Sequence, residues 1–256
     1  MKKTFKTLAL VLAVVMALFC ITACGGTKTN DDTAAKKLTM ATNAEFPPFE
    51  YIENGEIVGA DVDIAKAIAE KLGRELEITN IDFDAALTGA ATGKYDVAVA
   101  GITANDERKQ NMNFSNDYYT ASQAIIVLAD SAIATAADLE GKTISCQEGT
   151  TGEQYLLDNN YTIQSYKTGA EAVTALTSGK ADAVVIDNAV ALALSSKQNG
   201  ATKVLDEALT QEAYAIALKK GNDELTAEIN KALDELKADG TLASIFEKYE
   251  LPYDAE

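Results

Sequence analysis

VAVAGITANDERKQNMNFSNDYY, residues 97–119, decides the fold class of this chain and supplies its first candidate ligand contacts. Val97–Ala100 is an apolar run of strand character that ends in Gly101 and Thr103, and Arg108 follows five residues later. In an open α/β sheet, ligands sit outside the carboxyl ends of the strands, where such a turn opens. Gly101 permits close backbone approach. Thr103 offers a hydroxyl, and Arg108 a planar fork of donors suited to a carboxylate. The plain alternative is a loop arginine in a surface ion pair.

The stretch just before it has an echo later in the chain. Gly93-Lys94-Tyr95-Asp96 leads into Val97–Ala100, and Gly179-Lys180-Ala181-Asp182 leads into Ala183–Ile186; each follows a helical segment containing Leu-Thr. Each glycine suits the position after a helix end, and the lysine suits the helix's negative terminus. Eight residues beyond each glycine stand Gly101 and Asp187. If the copies are equivalent helix–turn–strand units, Arg108 serves an anion and Asp187 a cation, and a zwitterion satisfies both. Two ordinary units with unrelated loop charges remain the other reading.

Around these segments, strands and amphipathic helices alternate. Asp61–Leu72 places Val62, Ala65, Ile68 and Leu72 on one face and stops at Gly73, and Leu76, Ile78 and Asn80 alternate as a half-buried strand. Strands are expected near 97–100, 122–127, 142–146, 162–166, 183–186 and 213–218. Helices are expected near 84–92, 152–159, 170–178, 188–198, 223–238 and 241–249. This rhythm implies an α/β protein with mainly parallel sheet. Its length fits one domain or two small ones.

Composition removes several function classes. The chain has 39 acidic against 22 basic residues, a formal net charge of −17, which argues against nucleic acid. It has no histidine, which excludes Ser-His-Asp and Cys-His nucleophile systems, HExxH zinc sites and a histidine pH switch. Carboxylate-only catalysis stays open. At the N-terminus Lys2, Lys3 and Lys6 precede the apolar run Leu8–Ile21, too short to span a bilayer comfortably but suited to a signal peptide over 1–23. The run ends in Ile21-Thr22-Ala23-Cys24-Gly25, which makes Cys24 the candidate lipidated first residue of the mature chain. Residues 24–37 then read as a flexible tether reaching roughly 20 Å. With Cys20 in the signal and Cys24 lipidated, Cys146 is left as a buried, inert thiol, with no disulfide within a mature chain.

Quoted as they stand, ATNAEFPPFEY (41–51), GADVDIAKAIAEKLG (59–73), FDAAL (83–87), AGITANDER (100–108), NFSNDYY (113–119), EGTTGEQY (148–155) and ADAVVID (181–187) resemble the family 3 (amino-acid) solute-binding proteins of bacterial ABC importers. The likeness runs from about Leu38 to the C-terminus and is especially close to glutamine and polar amino-acid binders. Ala60 departs from the aromatic or bulky aliphatic residue usual after the glycine of the second motif. The resemblance implies a two-lobed periplasmic-binding-protein-like fold of type II. Lobe 1 would be 38–120 with 214–256 and lobe 2 would be 121–213, joined by two crossovers near 117–123 and 210–215.

For the site, the resemblance implies that Phe46 and Phe83 lie over the two faces of the ligand side chain. Ala100, Gly101, Thr103, Arg108, Thr150 and Thr151 would meet the ligand carboxylate, and Asp187 would hold the α-ammonium. Thr150, Thr151 and Asp187 each also suit a helix cap, and either phenylalanine also suits the core. Asn43, Gln147 and Ile186 match side-chain-reading positions; relatives that bind cationic amino acids tend to place a carboxylate where Asn43 stands, so the resemblance leans toward a neutral or polar amino acid. No cofactor, metal or catalytic residue is expected. The expected partners are an amino acid and an ABC permease, with the protein a monomer held by lipid on the extracytoplasmic face of the membrane.

Two other classes compete. Periplasmic dehydratases of cyclohexadienyl acids share this fold and could use Glu45 or Glu148 as an acid, but they have no use for an ammonium partner such as Asp187. A sensory ligand-binding domain is expected to be joined to a transmembrane helix and a signalling domain, and neither is read in this sequence.

Overall fold

The computed structural model describes residues 36–253. The expected signal peptide, Cys24 and most of the tether lie outside the described residues. The chain begins with β1 (Lys37–Thr42), then a small antiparallel meander of β2 (Glu45–Phe46), β3 (Glu50–Glu53) and β4 (Glu56–Val58). Helix α1 (Ala60–Lys71), β5 (Glu75–Asn80), α2 (Phe83–Thr92), β6 (Val97–Ala98), the short α3 (Asp106–Asn111) and β7 (Met112–Phe114) follow. After β8 (Tyr119–Ala121) come β9 (Gln123–Leu128), β10 (Thr143–Gln147), α4 (Thr151–Asp158), β11 (Thr162–Tyr166), α5 (Gly169–Thr177), β12 (Ala183–Asp187), α6 (Asn188–Ser196) and β13 (Thr202–Val204). The chain returns through β14 (Glu212–Tyr214) to β15 (Ala217–Lys219), α7 (Asp223–Ala238) and α8 (Thr241–Lys248).

These strands form two five-stranded sheets of the same plan. The first runs β5-β1-β6-β15-β7 and the second β11-β10-β12-β9-β13. In each, one strand is reversed: β15 in the first and β9 in the second. That strand is the first to enter its sheet after the chain has crossed from the other, so the crossing itself sets its direction. The crossing segments pair with each other, β8 antiparallel to β14. Beneath them Phe49, Tyr119 and Tyr214 pack edge-on or tilted at 4.9–5.6 Å between ring centroids, and Tyr119 meets Phe246 at 5.4 Å.

The GKxD echo has a physical basis in this symmetry. Gly93 and Gly179 both adopt positive φ, 77° and 73°, where their helices end. Asp96 accepts the Thr39 N–H at 2.8 Å and Asp182 the Thr143 N–H at 2.9 Å, so each aspartate ties its strand to the start of the parallel neighbour. Gly59 is needed for another reason. Its φ is 133°, and a Cβ there would lie 2.1 Å from the Phe49 carbonyl oxygen, which anchors the start of α1 on the meander.

Helices fall within a residue or two of their expected places. One expected strand, 213–218, divides into β14 and β15. Between them the Ala215 N–H turns to the Ile102 carbonyl at 2.9 Å and the Ile216 N–H to the Ser115 hydroxyl at 2.9 Å. Cys146 is buried, and burial pushes its thiol up to about 11, as expected of an inert side chain. Ala60 is fully buried at the first turn of α1.

Candidate functional site

A small cavity lies where the carboxyl ends of the central strands of both sheets converge. Asn43 follows β1 and Ala100 and Gly101 follow β6, whereas Gln147 and Asp187 end β10 and β12; all five line the cavity. Helix starts supply Phe83, Thr150 and Thr151, and Phe46, Thr103 and Arg108 complete the expected set. Ile186 is the exception. Side chains alternate along a strand, so as Asp187 faces the cavity Ile186 faces the helices behind, where it would crowd any Cβ at Gly169.

Arg108 is positioned by Asn105, whose side-chain oxygen accepts the Arg108 N–H at 2.8 Å and so caps α3. Its guanidinium donates to the Thr103 carbonyl at 3.0 Å and the Gly149 carbonyl at 3.0 Å, and its carbon lies 5.5 Å from the centroid of the Phe83 ring. Burial draws this group below its ordinary value, opposed by the charges of Asp187 and Glu212. The two carbonyls use one N–H on each terminal nitrogen, which leaves the rest of the five-donor fork for an anion.

Asp187 begins α6 but makes no side-chain capping hydrogen bond. It accepts instead from the Tyr214 hydroxyl at 2.6 Å and the Gln123 amide at 2.9 Å. Burial, then the charge of Glu212, raise it to about 6 against those two bonds. A buried carboxylate held in this way favours an incoming cation.

Several expected contacts have other tasks. The Gly101 N–H donates to Asp61 at 2.8 Å, and its φ of 54° leaves room for the Phe46 ring, which a Cβ would meet at 2.8 Å. Thr150 caps α4, accepting the Glu153 N–H at 3.2 Å and donating to the Gln147 carbonyl at 2.8 Å. The Thr103 and Thr151 hydroxyls donate to Glu212 at 2.6 and 2.7 Å. Asn43 donates to the Ile81 carbonyl at 3.1 Å and accepts from Gln147 at 3.1 Å, a bond that joins the two sides of the cavity.

Glu50 was not foreseen. It lines the cavity with no exposure to solvent, and neither carboxyl oxygen accepts a hydrogen bond from the described residues, the carboxyl of Asp61 being the group within its hydrogen-bonding reach; the Gln147 side-chain oxygen is likewise without a donor. Burial first, then the charge of Asp61, push Glu50 well above the ordinary carboxylate value. Asp61 is itself buried and raised to about 6, chiefly by burial, although it accepts the Gly101 N–H and, at 2.9 Å, the Tyr118 hydroxyl. In the sequence Glu50 is one more acidic residue within a quoted motif, and Asp61 looks like an ordinary first-turn acid. Only the meander, which brings β3 over the end of α1, turns them inward.

The acids that a dehydratase would need are elsewhere. Glu45 is exposed, and Glu148 pairs with Lys167 at 2.5 Å; neither lines the cavity.

The arginine-binding extracellular protein ArtP of Bacillus subtilis (strain 168) is 35% identical over 94% of this chain and 96% of its own length. Among solved structures, an ancestral arginine-binding protein, determined with arginine and with glutamine, is 44% identical with a TM-score of 0.79, over 83% of this chain and 97% of that one. The arginine-, lysine-, histidine-binding protein ArtJ from Geobacillus stearothermophilus is 35% identical with a TM-score of 0.79, over 84% of this chain and 95% of that one. The family model for bacterial extracellular solute-binding proteins, family 3, matches residues 38–252, and the chain belongs to that family.

Proposed function

We propose that this protein captures arginine, or a close cationic analogue, between two lobes and delivers it to an ABC transporter of the cell membrane. The observation that carries the ligand assignment is Glu50: a fully buried carboxyl at the cavity wall that accepts no hydrogen bond from the described residues and faces only the like-charged carboxyl of Asp61. A buried polar group without a partner is costly, and a guanidinium supplies donors to two carboxylate oxygens at once. The unpaired side-chain oxygen of Gln147, which also lines the cavity, asks for a donor as well. Glu50 thus turns the neutral side chain expected from sequence into a cationic one.

In this reading Asp187 holds the α-ammonium, Arg108 the α-carboxylate, and Phe46 and Phe83 enclose the aliphatic stem. Lobe 1 comprises 38–120 with 214–256 and lobe 2 comprises 121–213. The paired strands β8 and β14 are the hinge. Cys24 carries the lipid that holds the monomer at the extracytoplasmic membrane face, with 24–37 as its tether.

Glutamine is the second reading, favoured by the paired amides of Asn43 and Gln147 at the same wall. Calorimetric titration with arginine, lysine, glutamine and citrulline decides. Arginine is expected to bind at least ten times more tightly than citrulline, which keeps the shape and loses the charge. Equal affinities, or a preference for glutamine, would refute the cationic assignment.

A further inference from the structure

Glu212 stands on β14 two residues before Tyr214, so strand alternation gives the two side chains the same face. Its half-buried carboxylate takes three hydroxyl hydrogen bonds. One oxygen accepts from Thr103, which follows β6 of the first sheet, at 2.6 Å, and from Thr151, which starts α4 of the second, at 2.7 Å. The other accepts from Thr210 at 2.8 Å. The network continues around the cavity: the Gln123 amide donates to the Thr151 oxygen at 3.3 Å and to Asp187 at 2.9 Å, and Tyr214 donates to Asp187 at 2.6 Å. The circuit therefore begins and ends on one strand.

We infer that Glu212 is a closure latch, a positioning residue that joins the two sides of the cleft by accepting one hydroxyl from each. Three features carry this. The single acceptor oxygen is shared across the cleft, so opening must break at least one of its two bonds. Hydrogen bonds to a charged acceptor are stronger than neutral ones. The latch also sits on a segment by which the chain crosses between the sheets, so it links rotation about that segment directly to the state of the cleft.

There is a second consequence. A threonine hydroxyl has one proton, and here both protons go to Glu212. While the latch is closed, Thr103 and Thr151 cannot donate to a ligand carboxylate, and Arg108 with main-chain N–H groups must hold it. This part rests on the amino-acid reading above; the latch itself does not.

The test uses the full-length protein with Glu212→Ala and Glu212→Gln. Glutamine keeps an acceptor oxygen for the hydroxyls, and alanine keeps none. Two readouts are taken: hydrogen exchange of residues 103–105 and 150–152 in the ligand-free protein, and the rate of arginine release by stopped flow. Glu212→Ala is expected to speed exchange at both segments and to raise the release rate about 10- to 100-fold, the range for losing hydrogen bonds to a charged group. Glu212→Gln is expected to stay close to wild type in both. Wild-type exchange and release in Glu212→Ala would overturn the latch. So would equal loss of melting temperature in both variants without a local change in exchange. If wild type itself fails to bind arginine, the ligand assignment falls, and the exchange data on ligand-free protein still decide on the latch.

Discussion

Glu50→Gln isolates the interaction on which the ligand assignment depends. In the empty cavity, burial and Asp61 hold Glu50 well above the ordinary carboxylate value. The neutral carboxylic acid is therefore the favoured form there, and glutamine is its near-isostere. The substitution should cost the empty protein little stability, within about 1 kcal/mol. With arginine bound the balance changes. A guanidinium on two carboxylate oxygens makes two charge-assisted hydrogen bonds, and removing one member of a buried ion pair costs about 3–5 kcal/mol. The cost of ionising Glu50 against its raised value offsets part of this, so the loss of arginine affinity should fall below that range while staying above threefold. The assay is isothermal titration with arginine and with glutamine, repeated in two buffers of different ionisation enthalpy. Wild type should release protons on binding arginine, because a cation takes the place of the Glu50 proton. Glu50→Gln should release none, and it should leave glutamine affinity nearly unchanged. Arginine affinity within threefold of wild type in this variant would refute the pairing.

The zwitterion contacts make a related prediction: Arg108→Ala and Asp187→Ala should each weaken amino-acid binding by about two to four decades, measured by titration, because each leaves a buried charge unpaired. Near-wild-type affinity in the aspartate variant would exclude Asp187 as the ammonium partner. Stability of the ligand-free protein should fall as pH rises. Asp61 and Asp187, raised to about 6 when folded, bind more protons folded than unfolded between the ordinary aspartate value and that point, so their contribution is full below about 4 and lost as pH rises through 6. Each contributes at most about 3 kcal/mol, so melting temperature should drop by about 5–15 °C between pH 4.5 and 7. Asp187→Asn should flatten the profile, and an unchanged slope in that variant would count against this origin. Finally, Cys24→Ala should release the protein from the membrane, since two acyl chains anchor stably where one is marginal. Membrane retention of the variant, followed by fractionation and immunoblotting, would exclude the lipid anchor.

Much of the fold is legible because its signals are local. Gly73, Gly93 and Gly179 stop helices by taking positive φ, and apolar runs such as Ala183–Ile186 are long enough to read as buried strands. The meander β2–β4 is the main omission, though Asn54-Gly55, at φ 52° and 86°, is a strong hairpin turn between Glu50–Glu53 and Glu56–Val58. Strands of two to four residues carry too little periodicity to register, and their pairing is decided by distant neighbours. For the site, the residue types with distinctive chemistry, Arg108 and Asp187, stand out in sequence. Glu50, Asp61, Gln123 and Glu212 do not. A carboxylate on a short strand or in a first helical turn is ordinary in an acidic chain, and only the tertiary fold buries these four or bonds them.

The carboxylates around the cavity also divide by what already satisfies them. Asp61 has the Gly101 N–H and the Tyr118 hydroxyl, and Glu212 has three threonine hydroxyls. These two need nothing from a ligand. Asp187 has two donors yet lies buried and raised, and Glu50 accepts from none and faces the carboxyl of Asp61. The requirement that remains is two cationic groups for Asp187 and Glu50, together with one anion for Arg108. An arginine zwitterion meets all three, with its α-ammonium, guanidinium and α-carboxylate. Glutamine meets two and leaves Glu50 neutral, accepting or donating a weaker bond. Both ligands then fit one cavity, and what separates them is the ionisation of a single buried side chain. Selectivity for the cation should therefore grow as pH rises, since a rising pH lowers the cost of removing the Glu50 proton while it leaves the glutamine contacts unaltered.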